Sequence, residues 1–280
     1  MCPENPNPLT YQPSATSSFA DYKTVRKKVI YEQPLNEQMR GFLRLEYLFA
    51  SIVYHLKGPA EWDSRTIIDN VVSILELTAR IDFKTDLLKD LKRQVEVLEQ
   101  WQRIPKVDTE RLDKLLSQVT ATIDKLSKEE GQLGQALLQH QLVTQVRQRR
   151  SIVGGTSRSD LPGYHYWLQR SPKQRQGELS EWLNPLEPLR EAIELNMYLI
   201  RNNVVMTQEV ASAGFFQSKL DTNASYQLIQ VALPLEYPYY PEINAGKQRF
   251  TVRFLELATA SEKPLPTTLE INFELGCCML

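Results

Sequence analysis

From Asn36 onward the hydrophobic period of this 280-residue chain changes once, near Val204, and that change limits the fold more than any other feature. Before it, apolar side chains recur every three or four residues, as on one face of a helix; after it, they alternate at every second residue, as on one face of a strand. A chain that keeps its helical runs apart from its strands belongs to the α+β class. We expect a mainly helical domain with long antiparallel helices and a smaller antiparallel β-sheet domain. At ~150 residues per domain, the length accommodates about two.

In the helical part, Asn36 stands as an N-cap before Phe42, Leu45, Phe49, Ile52 and Leu56, and Gly58-Pro59 ends that run. A second helix is expected from Asp63 or Ser64, with Ile68, Val71 and Leu75 turned inward. Leu88, Leu91, Val95 and Leu98 then form a heptad-like seam. A turn centred on Pro105 reverses the chain, and Asp108 caps a helix that carries the seam through Leu112, Leu116, Val119, Ile123, Leu126, Leu133 and Leu137. The charges beside the seam, such as Lys92, Arg93, Glu96, Lys114, Asp124 and Lys128, alternate in sign as on a solvated face. Such a hairpin is either an internal support or an intermolecular coiled-coil seam. After a loop at 151–163, prolines 172, 185 and 188 sit near helix starts, and Leu186, Leu189, Ile193, Met197 and Ile200 form a last helical stripe.

Strands are expected at both ends. Val25–Glu32 alternates briefly, and near the carboxyl end Phe250, Val252 and Phe254 alternate with Arg249, Thr251 and Arg253. Leu269, Ile271, Phe273 and Leu275 alternate with Glu270, Asn272 and Glu274. Tyr226–Val231 gives a third strand in this block and the region of Thr207–Phe216 a fourth, while Leu233–Gly246 is too proline-rich for a central strand. The expected organisation is a flexible tail at 1–24, a helical domain at 33–203, and a discontinuous β domain made of 25–32 and 204–280.

Thirty-three Lys and Arg residues nearly balance 34 Asp and Glu, which argues against a surface that is basic throughout and coats nucleic acid or anionic lipid. The most apolar stretch, Phe42 to Leu56, is interrupted by Arg44 and Glu46, and the first 28 residues hold no secretory apolar core, so a cytoplasmic chain without membrane contact is expected. Cys2, Cys277 and Cys278 match no disulfide or zinc spacing, and His55, His140 and His165 stand apart from one another. No nucleotide-binding, zinc-protease or nucleophile-elbow motif occurs. The expectation is a protein without catalysis, metal or cofactor.

Two basic features remain. Between Arg147 and Arg175, seven cationic side chains accompany one carboxylate, Asp160, and enclose Tyr164, His165, Tyr166 and Trp167. Cations among flat rings suit acidic peptides or single-stranded nucleic acid, although Tyr166 and Trp167 are expected in the core. The second feature is a ladder. With Phe250, Val252 and Phe254 inward, Lys247, Arg249, Thr251 and Arg253 point outward, and the two arginines lie about 13 Å apart. That spacing matches an extended acidic peptide. The alternative is cross-strand pairing with 269–275, Glu270 against Arg253 and Glu274 against Arg249, at ~0–1 kcal/mol per exposed pair.

Four stretches carry a family resemblance. Tyr31-Glu-Gln-Pro-Leu-Asn-Glu-Gln-Met-Arg-Gly-Phe-Leu-Arg-Leu-Glu-Tyr-Leu, Val146-Arg-Gln-Arg-Arg-Ser-Ile-Val-Gly-Gly, Asp160-Leu-Pro-Gly-Tyr-His-Tyr-Trp-Leu and Gly246-Lys-Gln-Arg-Phe-Thr-Val-Arg-Phe together resemble the ZapD family of bacterial division-ring proteins, in order from about residue 28 to the C-terminus. The resemblance implies a cytoplasmic homodimeric adaptor, located at midcell, that binds the C-terminal tail of the tubulin-like GTPase FtsZ and bundles its filaments. It also implies that Arg80, Arg249 and Arg253 form a basic pocket for that tail, with Arg44 and His165 matching further basic residues linked to bundling. Lys247 neighbours the ladder within the last of these stretches. The family loop usually reads Ser-Ile-Pro-Gly-Gly-Cys, where Val153 and Thr156 stand here. The alternative function from the residues alone is a nucleic-acid-binding module built on 147–175.

Overall fold

The computed structural model describes residues 28–102, 108–256 and 263–280. The expected tail, residues 25–27 of the first expected strand and the Pro105 turn lie outside them. The fold is α+β, and the described residues divide into two units, one comprising 41–102 and 109–197, the other 28–40, 108, 198–256 and 263–280.

Helices make up the first unit. They are α1 (Glu37–His55), α2 (Glu61–Thr78), α3 (Phe83–Gln102), α4 (Thr109–Lys128), α5 (Gln135–Leu138), α6 (Gln141–Arg149), α7 (Pro162–Leu168), α8 (Pro172–Leu183) and α9 (Glu187–Asn202), the first beginning in the second unit and the last continuing into it. Helix α2 begins two residues before the expected Asp63, because Asp63 occupies the third position of the first turn and its carboxylate accepts the Ala60 N–H at 2.9 Å. Helices α3 and α4 pack on each other within the chain. Their buried row is Leu87, Leu91, Gln94 and Leu98 against Leu112, Val119 and Leu126, so the expected Leu88 and Val95 lie half-buried beside the seam. Helix α4 does not continue to Leu133 and Leu137. It stops at Lys128, since Gly131 and Gly134 adopt φ of 73° and 76°, and the two leucines are buried from a separate loop and helix. The last stripe, Leu186, Leu189, Ile193, Met197 and Ile200, is buried throughout.

Two antiparallel sheets make up the second unit. The first has the order β1 (Lys28–Pro34), β4 (Tyr226–Pro234), β8 (Ile271–Met279), β2 (Thr207–Ala211). The second runs β3 (Phe215–Lys219), β6 (Arg249–Glu256), β5 (Tyr239–Ala245), with the short β7 (Leu265–Pro266) also paired to β6. A shared core lies between them, in which Ile229, Val231, Phe273 and Leu275 of the first sheet meet Phe250, Val252 and Phe254 of the second. Phe273 contacts Phe254 and Phe216 at ring-centroid distances of 5.1 and 5.2 Å. The opposite side of the first sheet is also buried: Arg201 donates two bonds of 2.8 Å to the Glu32 carboxylate, which further accepts the Gln230 amide at 2.8 Å. Burial opposes ionisation of Glu32, but the hydrogen bonds and charge of Arg201 outweigh it and hold the carboxyl below its ordinary range.

Two strand expectations are corrected, and a third, that the proline-rich span is no central strand, is met by a strand at the sheet's edge. Thr207–Phe216 is two strands, broken at Ala213 and Gly214, because the chain must leave one sheet for the other there. Gly214 has φ of 69°, and a side chain on it would sit 2.3 Å from the Thr267 carbonyl oxygen. The proline-rich span holds an edge strand, β5, in which Pro241 costs no ladder bond on the open side. The two alternating segments near the C-terminus do not pair with each other. Strand β8 is buried on both faces by Leu275, Gly276, Cys277 and Cys278, which suits the interior of the first sheet, whereas β6 lies in the second.

Candidate docking surface on the second sheet

Strand β6 is central in its sheet, bonded to β3 on one side and β5 on the other. Its inward residues Phe250, Val252 and Phe254 are fully buried, which forces Arg249 and Arg253 outward, and both are exposed. Among the described residues neither arginine has an ion-pair partner within 4 Å. Glu270 and Glu274, the expected cross-strand partners, are elsewhere: Glu270 is exposed ahead of β8, and Glu274 pairs with Lys28 and accepts a bond from Gln208.

The true neighbours come from β3 and β5. Arg253 lies opposite Phe215 across β3 and opposite Glu242 across β5, while Arg249 lies opposite Lys219. Thr251 lies between Gln217 and Asn244. Lys219 and Glu242 are exposed, and Phe215 is 42% exposed. Lys247 is exposed in the turn before β6, where Gly246 N–H donates to the Arg249 carbonyl. Four cations therefore flank one carboxylate, Glu242, around the outward face. The sequence signal for β3 was weak, since the adjacent Phe215 and Phe216 conceal the alternation that its exposure makes plain: Phe215, Gln217 and Lys219 out, Phe216 and Ser218 in.

The other expected site residues belong to the helical unit, on three different elements. Arg44 is exposed on α1 with its guanidinium 5.5 Å from the Tyr47 ring centroid. Arg80 is exposed just beyond α2. His165 is half-buried on α7, and its Nδ1 is buried without a hydrogen-bond partner among the described residues.

The basic segment 147–175 looks different once folded. Arg175 is buried and donates to the Pro59 carbonyl at 2.7 Å; Arg150 bonds Ser73 at 2.9 Å and approaches Glu76; Arg170 pairs with Glu178; Arg149 lies 3.9 Å from Asp160. Trp167 is buried, stacks on Trp182 at 5.2 Å and donates its Nε1–H to Glu178 at 2.6 Å. Tyr166, expected in the core, is 71% exposed: at 100° per residue the helix turns Tyr164, Trp167 and Leu168 inward and leaves Tyr166 on the far side. Among the described residues, no group of three or more His, Cys, Asp and Glu is placed to share a metal ion, and no helix is long and apolar enough to cross a membrane.

A model of the ZapD family, described as cell division protein, matches residues 43–253, about three quarters of the chain. The chain belongs to the ZapD family. The cell division protein ZapD of Methylococcus capsulatus is 39% identical over 256 residues, covering 91% of this chain and all of that protein. That of Klebsiella pneumoniae subsp. pneumoniae is 35% identical over 250 residues, 89% of this chain and 98% of the relative. That of Coxiella burnetii is 34% identical over 257 residues, 91% of this chain and all of the relative. A role in cell division follows, and Arg44, Arg80, His165, Lys247, Arg249 and Arg253 all fall inside the ZapD span.

Proposed function

We propose that this chain is a non-enzymatic adaptor of cell division that works in the cytoplasm at midcell, holds the C-terminal tail of FtsZ, and bundles FtsZ filaments as a homodimer. The observation that carries the reading is the pair Arg249 and Arg253: exposed, on one face, and without ion-pair partners among the described residues. Two guanidinium groups about 13 Å apart on a rigid central strand suit an extended acidic peptide, each group able to grip a carboxylate through two N–H donors. Arg80, Arg44, His165 and Lys247 are assigned to the same function, each as a contact to the filament from its own element.

Bundling then needs only modest affinity per site. A dimer carrying two sites raises the effective concentration of the second contact, and avidity exceeds the single-site affinity by ~10²–10⁴. The nucleic-acid reading is weaker, because Arg149, Arg150, Arg170 and Arg175 already face carboxylates, a hydroxyl or backbone oxygens of the same unit. Co-sedimentation with polymerised FtsZ tests the proposal. The intact chain pellets with filaments, and Arg253→Glu remains in the supernatant; equal pelleting of both overturns the assignment.

A further inference from the structure

The outward face of the second sheet is not uniform along its length. Cross-strand register divides the part around the arginines into three rows, spaced about 6.6 Å apart because side chains on one face of a strand are two residues apart, and Leu255 with Tyr240 and Pro266 continues the face beyond them. Phe215, Arg253 and Glu242 form the first row, Gln217, Thr251 and Asn244 the second, Lys219 and Arg249 the third. Directly opposed Cβ atoms lie about 4.5–5.5 Å apart, so each row acts as one patch. The third row presents two cations and no carboxylate. In the first row Glu242 offsets the charge of Arg253, and beside them stands an exposed aromatic ring.

We propose, resting on the docking reading above, that this face recognises a peptide with an acidic side chain and an apolar side chain about four residues apart in extended form. The acidic group sits on Lys219 and Arg249, and the apolar group sits on Phe215 beside Arg253. Glu242 acts as a selectivity element: it repels a second acid at the apolar end, so a peptide acidic along its whole length is held less well than one acidic at a single end. Charge complementarity favours a peptide over a second copy of the same face, which would bring further cations toward Lys219 and Arg249. Phe215, Lys219 and Glu242 thus join the arginines as binding and specificity residues.

The test uses the full-length chain and a fluorescent peptide with the sequence of the FtsZ C-terminal tail, read by anisotropy at two salt concentrations. Lys219→Ala weakens binding about three- to fivefold, and the loss disappears against the same peptide with its acidic residues converted to amides. Phe215→Ser weakens it about five- to tenfold with little salt dependence, and Phe215→Leu restores most of it. Glu242→Gln tightens binding about twofold to a fully acidic control peptide, more than to the tail itself. If Arg253→Glu abolishes binding while Phe215→Ser and Lys219→Ala bind like the parent, the row assignment is overturned and the docking reading stands. If Arg253→Glu also binds like the parent, both fall. If Phe215→Ser leaves peptide affinity unchanged but alters the sedimentation coefficient, the ring belongs to contacts between copies and the inference is overturned.

Discussion

Reversing the charge at Arg253 is the most direct perturbation of the proposed surface, and its size can be worked from the register. Around the face, Lys219, Lys247, Arg249 and Arg253 oppose Glu242, an excess of three positive charges; Arg253→Glu brings that excess to one. At a contact distance of ~6 Å and an effective dielectric constant between ~40 and ~80, each unit charge contributes about 0.7–1.4 kcal/mol, and salt at physiological strength screens roughly half of that. Two units therefore remove about 0.7–1.4 kcal/mol. Loss of a charge-assisted hydrogen bond adds ~1.5 kcal/mol, for a total of about 2–3 kcal/mol, or roughly 30- to 150-fold in Kd. Stability changes little, because the side chain is exposed and unpaired among the described residues; the new carboxylate opposite Glu242 costs at most ~1 kcal/mol. The assay is peptide anisotropy across a salt series beside a thermal melt. Arg253→Glu should flatten the salt dependence as well as weaken binding. A variant that keeps the parent affinity at low salt, with an unchanged melt, refutes the electrostatic reasoning.

Three further outcomes are expected. Gly214→Ala should destabilise the chain by more than ~2 kcal/mol in chemical denaturation, since φ is 69° and the added Cβ meets the Thr267 carbonyl oxygen at 2.3 Å; a midpoint equal to the parent would contradict the close approach. Glu32 has a depressed carboxyl in the fold, so its contribution is complete above the ordinary glutamate value near 4.5 and is lost as pH falls below it; denaturation midpoints should drop in acid for the parent and drop less for Glu32→Gln. Burial pushes the Cys278 thiol up to about 12, with the Glu32 charge adding to the effect, so iodoacetamide at pH 8 should leave the Cys278 peptide unlabelled in native protein and label it in denaturant, as mass spectrometry would show.

Much of the local structure was legible because it rests on near-neighbour patterns. The alternation of Phe250, Val252 and Phe254 placed Arg249 and Arg253 outward with no knowledge of the partners. The stripe from Leu186 to Ile200 is buried as its spacing requires. Pairing was not legible, because it depends on contacts remote in sequence. Arg253 meets Phe215 and Glu242, not Glu270, and nothing in 269–275 marks it for the other sheet except the apolar run Leu275 to Cys278, buried on both faces. The seam of the helical hairpin was displaced for a related reason: Leu87 and Leu88 are adjacent, and only packing against α4 decides which is buried. Tyr166 could have been placed correctly by applying the helical rotation within the ring-rich run rather than treating the rings as one group.

The central position of β6 has a mechanical consequence. A strand at the margin of a sheet can be peeled away by breaking one rung after another, each at low force. Arg249 and Arg253 stand instead on a strand held along both flanks, so a tug along its axis must shear two ladders at once, with rungs sharing the load. If the proposed grip is put under tension, the load falls on this strand, and the grip should let go of its cargo before the sheet beneath it gives way.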